Sequence, residues 1–77
     1  MTQPSTLADS VAAEVRAQLA RRQLTGTALA NAIGKSEMYV SRRLRGEVSF
    51  DLIDVEQAAQ FLGIAVADLM PAAGRAA

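Results

Sequence analysis

Leu24-Thr25-Gly26-Thr27-Ala28-Leu29-Ala30-Asn31-Ala32-Ile33-Gly34-Lys35-Ser36-Glu37-Met38-Tyr39-Val40-Ser41-Arg42-Arg43-Leu44-Arg45-Gly46 is the stretch on which the fold turns. Thr25 is a good N-cap, because its hydroxyl accepts from an amide that the first helical turn leaves unpaired. Leu29, Ala30 and Ile33 recur at helical spacing and predict the buried side of a short helix ending at Ile33. Gly34 supplies the left-handed residue that closes helices, a conformation glycine adopts at no steric cost. Ser36 caps the next helix, which is predicted to run to Arg45 with Gly46 as its stop. Two short helices joined by a tight Gly34-Lys35-Ser36 turn result.

The flanks also read as helix. Alanine is the commonest residue, which favours helix. No strand-length run alternates apolar with polar residues. Thr6-Leu7-Ala8-Asp9 has the form of a capping box with Asp in place of Glu, opening a first helix predicted from Thr6 to Arg22. Leu7, Val11, Val15 and Leu19 form its apolar stripe. Arg21 and Arg22 fall in its last turn, where cations either complement the helix dipole or serve a nucleic acid. After the loop Glu47-Val48-Ser49-Phe50, Asp51 caps a further helix with Leu52, Val55, Ala59 and Leu62 inward and Gly63 as its stop. Val66 to Met70 predict a fifth, very short helix before Pro71. Residues 1–5 and the tail 71–77 are expected to be flexible.

Composition narrows the function classes. The chain has 77 residues, enough for one small domain. With no cysteine and no histidine, it has no disulfide, no thiolate metal site and no imidazole base. No apolar run approaches membrane-spanning length, and the N-terminus lacks the basic start and apolar run of a secretory signal. A cytoplasmic protein is therefore expected.

Eight Lys/Arg balance eight Asp/Glu, and a net charge of zero argues at first against nucleic acid. The distribution reverses that inference. Residues 16–45 carry Arg16, Arg21, Arg22, Lys35, Arg42, Arg43 and Arg45 against Glu37, a charge of plus six. Residues 1–15 carry minus two and residues 46–77 minus four. A basic middle lies between acidic ends.

Two short helices at a tight turn are the layout of a helix-turn-helix, whose second helix enters the DNA major groove. Here the residues carry a family resemblance. Leu24, Thr25, Leu29, Ala30, Gly34, Ser36, Val40, Ser41, Arg42 and Gly46 fall at matching spacing, and Ala59-Gln60-Phe61-Leu62-Gly63-Ile64 followed by Asp68-Leu69-Met70 extends the match. The chain resembles the Cro/repressor-type, or XRE-like, helix-turn-helix DNA-binding family over nearly its whole length. The resemblance implies an all-α, compact five-helix lambda-repressor-like domain over residues 6–70. It also implies a sequence-specific regulator of transcription, commonly a repressor, in a bacterial or phage-infected cell and associated with its nucleoid.

Five departures stand out. Family members often carry Gln at the position of Gly26, where it meets a phosphate and braces the recognition helix. An aliphatic residue is usual at the position of Arg43, and an acid at that of Leu44. Ala65 replaces a usual Ser N-cap. The loop after Gly46 is often basic, and here it carries Glu47.

Successive residues advance about 100° around a helix. Val40 and Leu44 therefore face the core, while Met38, Ser41, Arg42 and Arg45 share the opposite side with Glu37 at its edge. Base contacts are assigned to Glu37, Met38, Ser41 and Arg42. Arg42 can give two parallel hydrogen bonds to guanine, worth about 1–3 kcal/mol of discrimination; a solvated arginine or a phosphate contact is the alternative. Glu37 either accepts from a cytosine amino group or complements the helix N-terminus. Met38 either touches a thymine methyl or fills the core. Thr25, Thr27, Lys35, Ser36, Arg43 and Arg45 are assigned to phosphates, with Ser36 a cap first. Tyr39 is expected to pack its ring on the core and offer its hydroxyl to the backbone.

A single domain with few phosphate contacts binds weakly, so a homodimer on a near-palindromic double-stranded operator is expected, with half-sites about 34–36 Å apart. Ile64, Val66 and Met70 are the expected dimer surface, with Leu69 closing the core. The competing class is a protein-interaction module, an antitoxin or adaptor, on the same helices. An enzyme is not expected: Asp51, Asp54 and Glu56 cluster, but Asp51 and Asp54 read as cap and dipole partners. No cofactor and no metal are implied.

Overall fold

Each helix begins where a side-chain oxygen replaces a missing backbone acceptor. In the computed structural model, which describes residues 6–71, α1 spans Leu7–Arg21, α2 Gly26–Ile33, α3 Glu37–Leu44 and α4 Leu52–Leu62. The caps are the expected ones. Thr6 accepts from the Asp9 amide at 3.0 Å, Thr25 from Ala28 at 3.0 Å, and Ser36 from Tyr39 at 3.0 Å. Asp51 and Asp54 form a reciprocal capping box at the start of α4.

The helix ends follow the same accounting of unpaired groups. Gly34 sits at φ 71°, which lets the Lys35 amide reach back to the Ala30 carbonyl at 3.0 Å. At the end of α1, a non-glycine takes the same role. Gln23 adopts φ 55°, and the Leu24 amide donates to Leu19 at 2.9 Å.

The apolar stripes meet in one core. Val11, Val15 and Leu19 of α1 join Leu29, Ala30 and Ile33 of α2, Val40 of α3, and Val55, Ala58, Ala59 and Leu62 of α4. Leu29, Val15 and Leu69 are fully buried, and each such side chain contributes about 1.5–3 kcal/mol relative to exposure. α2 packs against α3 and α4, and α1 lies across α3, α4 and the terminal turn.

The expected fifth helix is not an α-helix. Val66–Leu69 forms a 3-10 turn, so the described residues hold four α-helices and no strand. Ala65 has no side-chain acceptor for its first amides; the Asp68 carboxylate instead accepts from the Ala65 amide at 3.1 Å. Pro71 disfavours helical backbone at the preceding residue, and Met70 is extended at φ −87°, ψ 153°. The expected flexibility of residues 1–5 and of the tail beyond Pro71 falls outside the described residues. None of the described helices is long and apolar enough to cross a membrane.

Candidate nucleic-acid interface

α3 is held by its core side and displays the rest. Val40 is buried, at 1% exposure, and Leu44 packs partly buried beside it. Glu37, Met38, Arg42 and Arg45 are exposed, and Ser41 is half-buried among them. These five cover an arc of about 140° on the helix. Met38, at 64% exposure, is no core filler.

The N-terminus of α2 adjoins this arc. Thr27 donates its hydroxyl hydrogen to Glu37 Oε1 at 3.1 Å, tying the two helix starts together. Arg16, Gly26, Thr27, Glu37, Ser41, Leu44 and Arg45 line an open groove of about 680 Å³. Arg16 was given no role by the sequence. It projects from α1, and its Nη1 donates to the Leu44 carbonyl at the end of α3. A cation there complements the negative end of the helix. Its signal lay in the charge of residues 16–45, but only tertiary packing brings α1 to α3.

Two departures from the family pattern explain each other. A Cβ on Gly26 would stand 3.2 Å from Leu44 Cδ1. The apolar Leu44 occupies the space beside the helix start, and the absent side chain at Gly26 leaves room for it.

Arg43, expected at a phosphate, stands apart from the arc. Its side chain is 17% exposed and does not join the open arc. Its guanidinium carbon lies 3.4 Å from the Tyr39 ring centroid, Nη1 donates to the Tyr39 carbonyl at 3.1 Å, and Nε stands 3.7 Å from Asp54 Oδ2. Helical rotation places 39 and 43 on the flank between the core stripe and the arc. Arg43 is thus turned toward α4 rather than toward a phosphate.

Tyr39 is corrected too. Its hydroxyl donates to the Asp54 carboxylate at 2.6 Å, not to the backbone. The same oxygen accepts from the Asp51 amide at 3.3 Å. Asp54, 1% exposed, therefore joins α3 to the start of α4. Hydrogen bonding to Asp54, with burial and the Asp54 charge behind it, raises the Tyr39 pKa above the ordinary tyrosine value. Asp54 was legible as a cap, whereas its partnership with Tyr39 and Arg43 is tertiary.

The remaining expected contacts divide by position. Thr25 is exposed at the start of α2, and its hydroxyl oxygen already serves as the cap. Ser36 likewise caps α3. Lys35 stands by the Tyr39 ring, with Nζ 5.0 Å from its centroid, on the Arg43 flank. Of the expected dimer residues, Val66 is 39% exposed, while Ile64 and Met70 pack partly buried on the core. Met70 also borders an apolar cleft of about 190 Å³ with Leu7, Ala8, Val11, Phe50, Leu52 and Val55. No cluster of metal-ligating side chains occurs among the described residues.

No protein-family model and no curated protein matches the sequence. Solved structures do. A hypothetical transcription factor, NHTF from Neisseria, superposes with a TM-score of 0.81 at 26% identity, covering 97% of this chain and 90% of its own. The clp gene regulator ClgR from C. glutamicum gives 0.81 at 28% identity, covering 96% and 97%. The restriction-modification controller protein C.AhdI from Aeromonas hydrophila gives 0.74 at 22%, covering 80% and 94%, a likeness of fold alone. Over nearly its full length, the chain is built like these helical regulators.

Proposed function

We propose that the chain is a sequence-specific double-stranded DNA-binding regulator of transcription, a repressor in mode, that lays α3 in the major groove. The observation that carries this is the exposed arc of Glu37, Met38, Ser41, Arg42 and Arg45, bordered by the N-terminus of α2. The likeness to NHTF and ClgR supports it. Glu37, Met38, Ser41 and Arg42 read bases, and Arg45, Thr25, Thr27, Lys35 and Ser36 meet phosphates, with Arg16 added to that set. Arg43 is left out, since it serves Asp54. A homodimer on a near-palindromic operator completes the proposal, with Ile64, Val66 and Met70 at the contact.

Selection of duplexes from a random pool at two salt concentrations tests it. One enriched motif is expected. Salt-sensitive binding with no motif overturns the proposal. Given a motif, Arg42→Ala relaxes preference at one base pair, costing about 1–3 kcal/mol there, whereas Arg45→Ala weakens all sequences alike.

A second reading, a protein-interaction module such as an antitoxin or adaptor, is favoured by one observation. Leu7, Leu52 and Ile53 are 60%, 81% and 64% exposed, none of them on α3. Arg42→Glu with Arg45→Glu separates the two, because it abolishes DNA binding and spares a partner docked on those apolar residues.

A further inference from the structure

An acid directly after a helix meant for DNA is the least expected charge on this surface, since phosphate repels it. The backbone fixes where it lies. Gly46, at φ 82°, turns the chain back over the end of α3, and the Glu47 amide donates to the Arg42 carbonyl at 2.9 Å. The Glu47 side chain thereby starts beside the last turn of α3.

Each carboxylate oxygen then faces one arginine. Arg45 Nε donates to Oε2 at 2.7 Å, and Arg42 Nε stands 3.7 Å from Oε1. Arg45 is held a second time, Nη1 donating to Ser41 Oγ at 2.5 Å. The Arg42 side chain makes no other polar contact among the described residues, so both of its Nη groups are unused. The Arg45 hydrogen bond, joined by the charges of both arginines, holds the Glu47 carboxyl below the ordinary carboxylate range.

Exposed ion pairs add little to stability, so the effect of this one lies in orientation. A guanidinium has five N–H donors in a fixed plane. With its Nε edge 3.7 Å from the Glu47 carboxylate, Arg42 keeps its Nη pair for another acceptor pair, and guanine O6 and N7 are such a pair. A flexible arginine ordered before binding loses less conformational freedom on binding. We infer that Glu47 is a positioning residue for DNA readout: it holds Arg42 and Arg45 by their Nε edges, leaving the Nη end of Arg42 for a guanine. The inference rests on the DNA-binding proposal above.

Its test compares affinity for the enriched duplex with that for a scrambled duplex of equal length. Glu47→Gln removes the charge, and Glu47→Asp keeps the charge but shortens the reach. Asp9→Asn is the control, because Asp9 Oδ1 lies beside Gly46, 3.4 Å from the site of a Cβ there, and pairs with no arginine among the described residues. Asp9→Asn raises both affinities by one factor. Glu47→Gln raises the scrambled affinity but lowers the ratio of enriched to scrambled by about five- to tenfold, a part of what one bidentate guanine contact supplies. Glu47→Asp lowers the ratio without raising the scrambled affinity. In the DNA-free protein, the Arg42 and Arg45 Nε–H resonances shift and exchange faster in Glu47→Gln.

An unchanged ratio in Glu47→Gln, with both affinities raised as in Asp9→Asn, overturns the positioning role while leaving the regulator proposal standing. Unmoved Nε–H resonances overturn it as well. A wild-type chain without a preferred duplex overturns the regulator proposal, and the readout role with it.

Discussion

Tyr39 is the most informative single side chain, because it links α3 to the start of α4 through Asp54. Its hydroxyl donates to Asp54, its ring carries the Arg43 guanidinium, and its carbonyl accepts from Arg43. Ionising the hydroxyl would place a second negative charge against Asp54, so its pKa is raised. A group whose folded pKa exceeds its unfolded value contributes stability below the unfolded value and loses it as pH rises through the folded one. Stability should therefore fall above about pH 10, and fall less in Tyr39→Phe. Tyr39 is the chain's one tyrosine, and there is no tryptophan or cysteine, so tyrosinate absorbance reports this group alone. A midpoint at or below that of free tyrosine would show that the Asp54 hydrogen bond is absent in solution. The residue scale is also where the sequence ran out. Thr25, Ser36 and Asp51 were legible because a cap acts within three residues. Arg43 and Arg16 were not: each meets a partner on another helix, and no local rule distinguishes an arginine bound for Asp54 from one bound for phosphate.

At the scale of elements, local rules served well except where a residue acted against type. α1 through α4 begin at the expected N-caps, and α2 and α4 end at Gly34 and Gly63. The fifth element came out as a 3-10 turn because Ala65 and Pro71 limit it at both ends. The end of α1 has no glycine to announce it, and Gln23 takes the left-handed conformation itself. A side chain with a Cβ is strained there, and glycine is not. Gln23 is exposed and its side chain makes no hydrogen bond among the described residues. Gln23→Gly should therefore raise stability by about 0.5–1 kcal/mol in chemical denaturation, at unchanged denaturant dependence. The gain is what remains after glycine's larger loss of freedom on folding. A midpoint that drops would mean that the α1–α2 connection takes another conformation in solution.

Over the whole molecule, the zero net charge resolves into a direction. The basic segment from Arg16 to Arg45 carries the exposed arc, and the acidic segment behind it carries α4 and the terminal turn. On the proposed function, the basic segment is the one that meets the polyanion. There, Glu47 occupies two of the arginines, so one copy has few free cations for phosphates. Affinity that depends on a handful of phosphate contacts falls steeply with salt, which favours two linked copies over one. Val66, 39% exposed, offers an apolar contact that is not on α3. Val66→Asp should then weaken binding to a duplex with two half-sites by about tenfold or more, and leave binding to a single half-site unchanged. The difference arises because linking two sites multiplies affinity through effective concentration, without any new DNA contact. Gel-shift titrations on both duplexes, with sedimentation of the complexes, measure it. Equal loss on both duplexes would show that the substitution harms the fold, and no loss on either would place the contact between copies elsewhere or remove it.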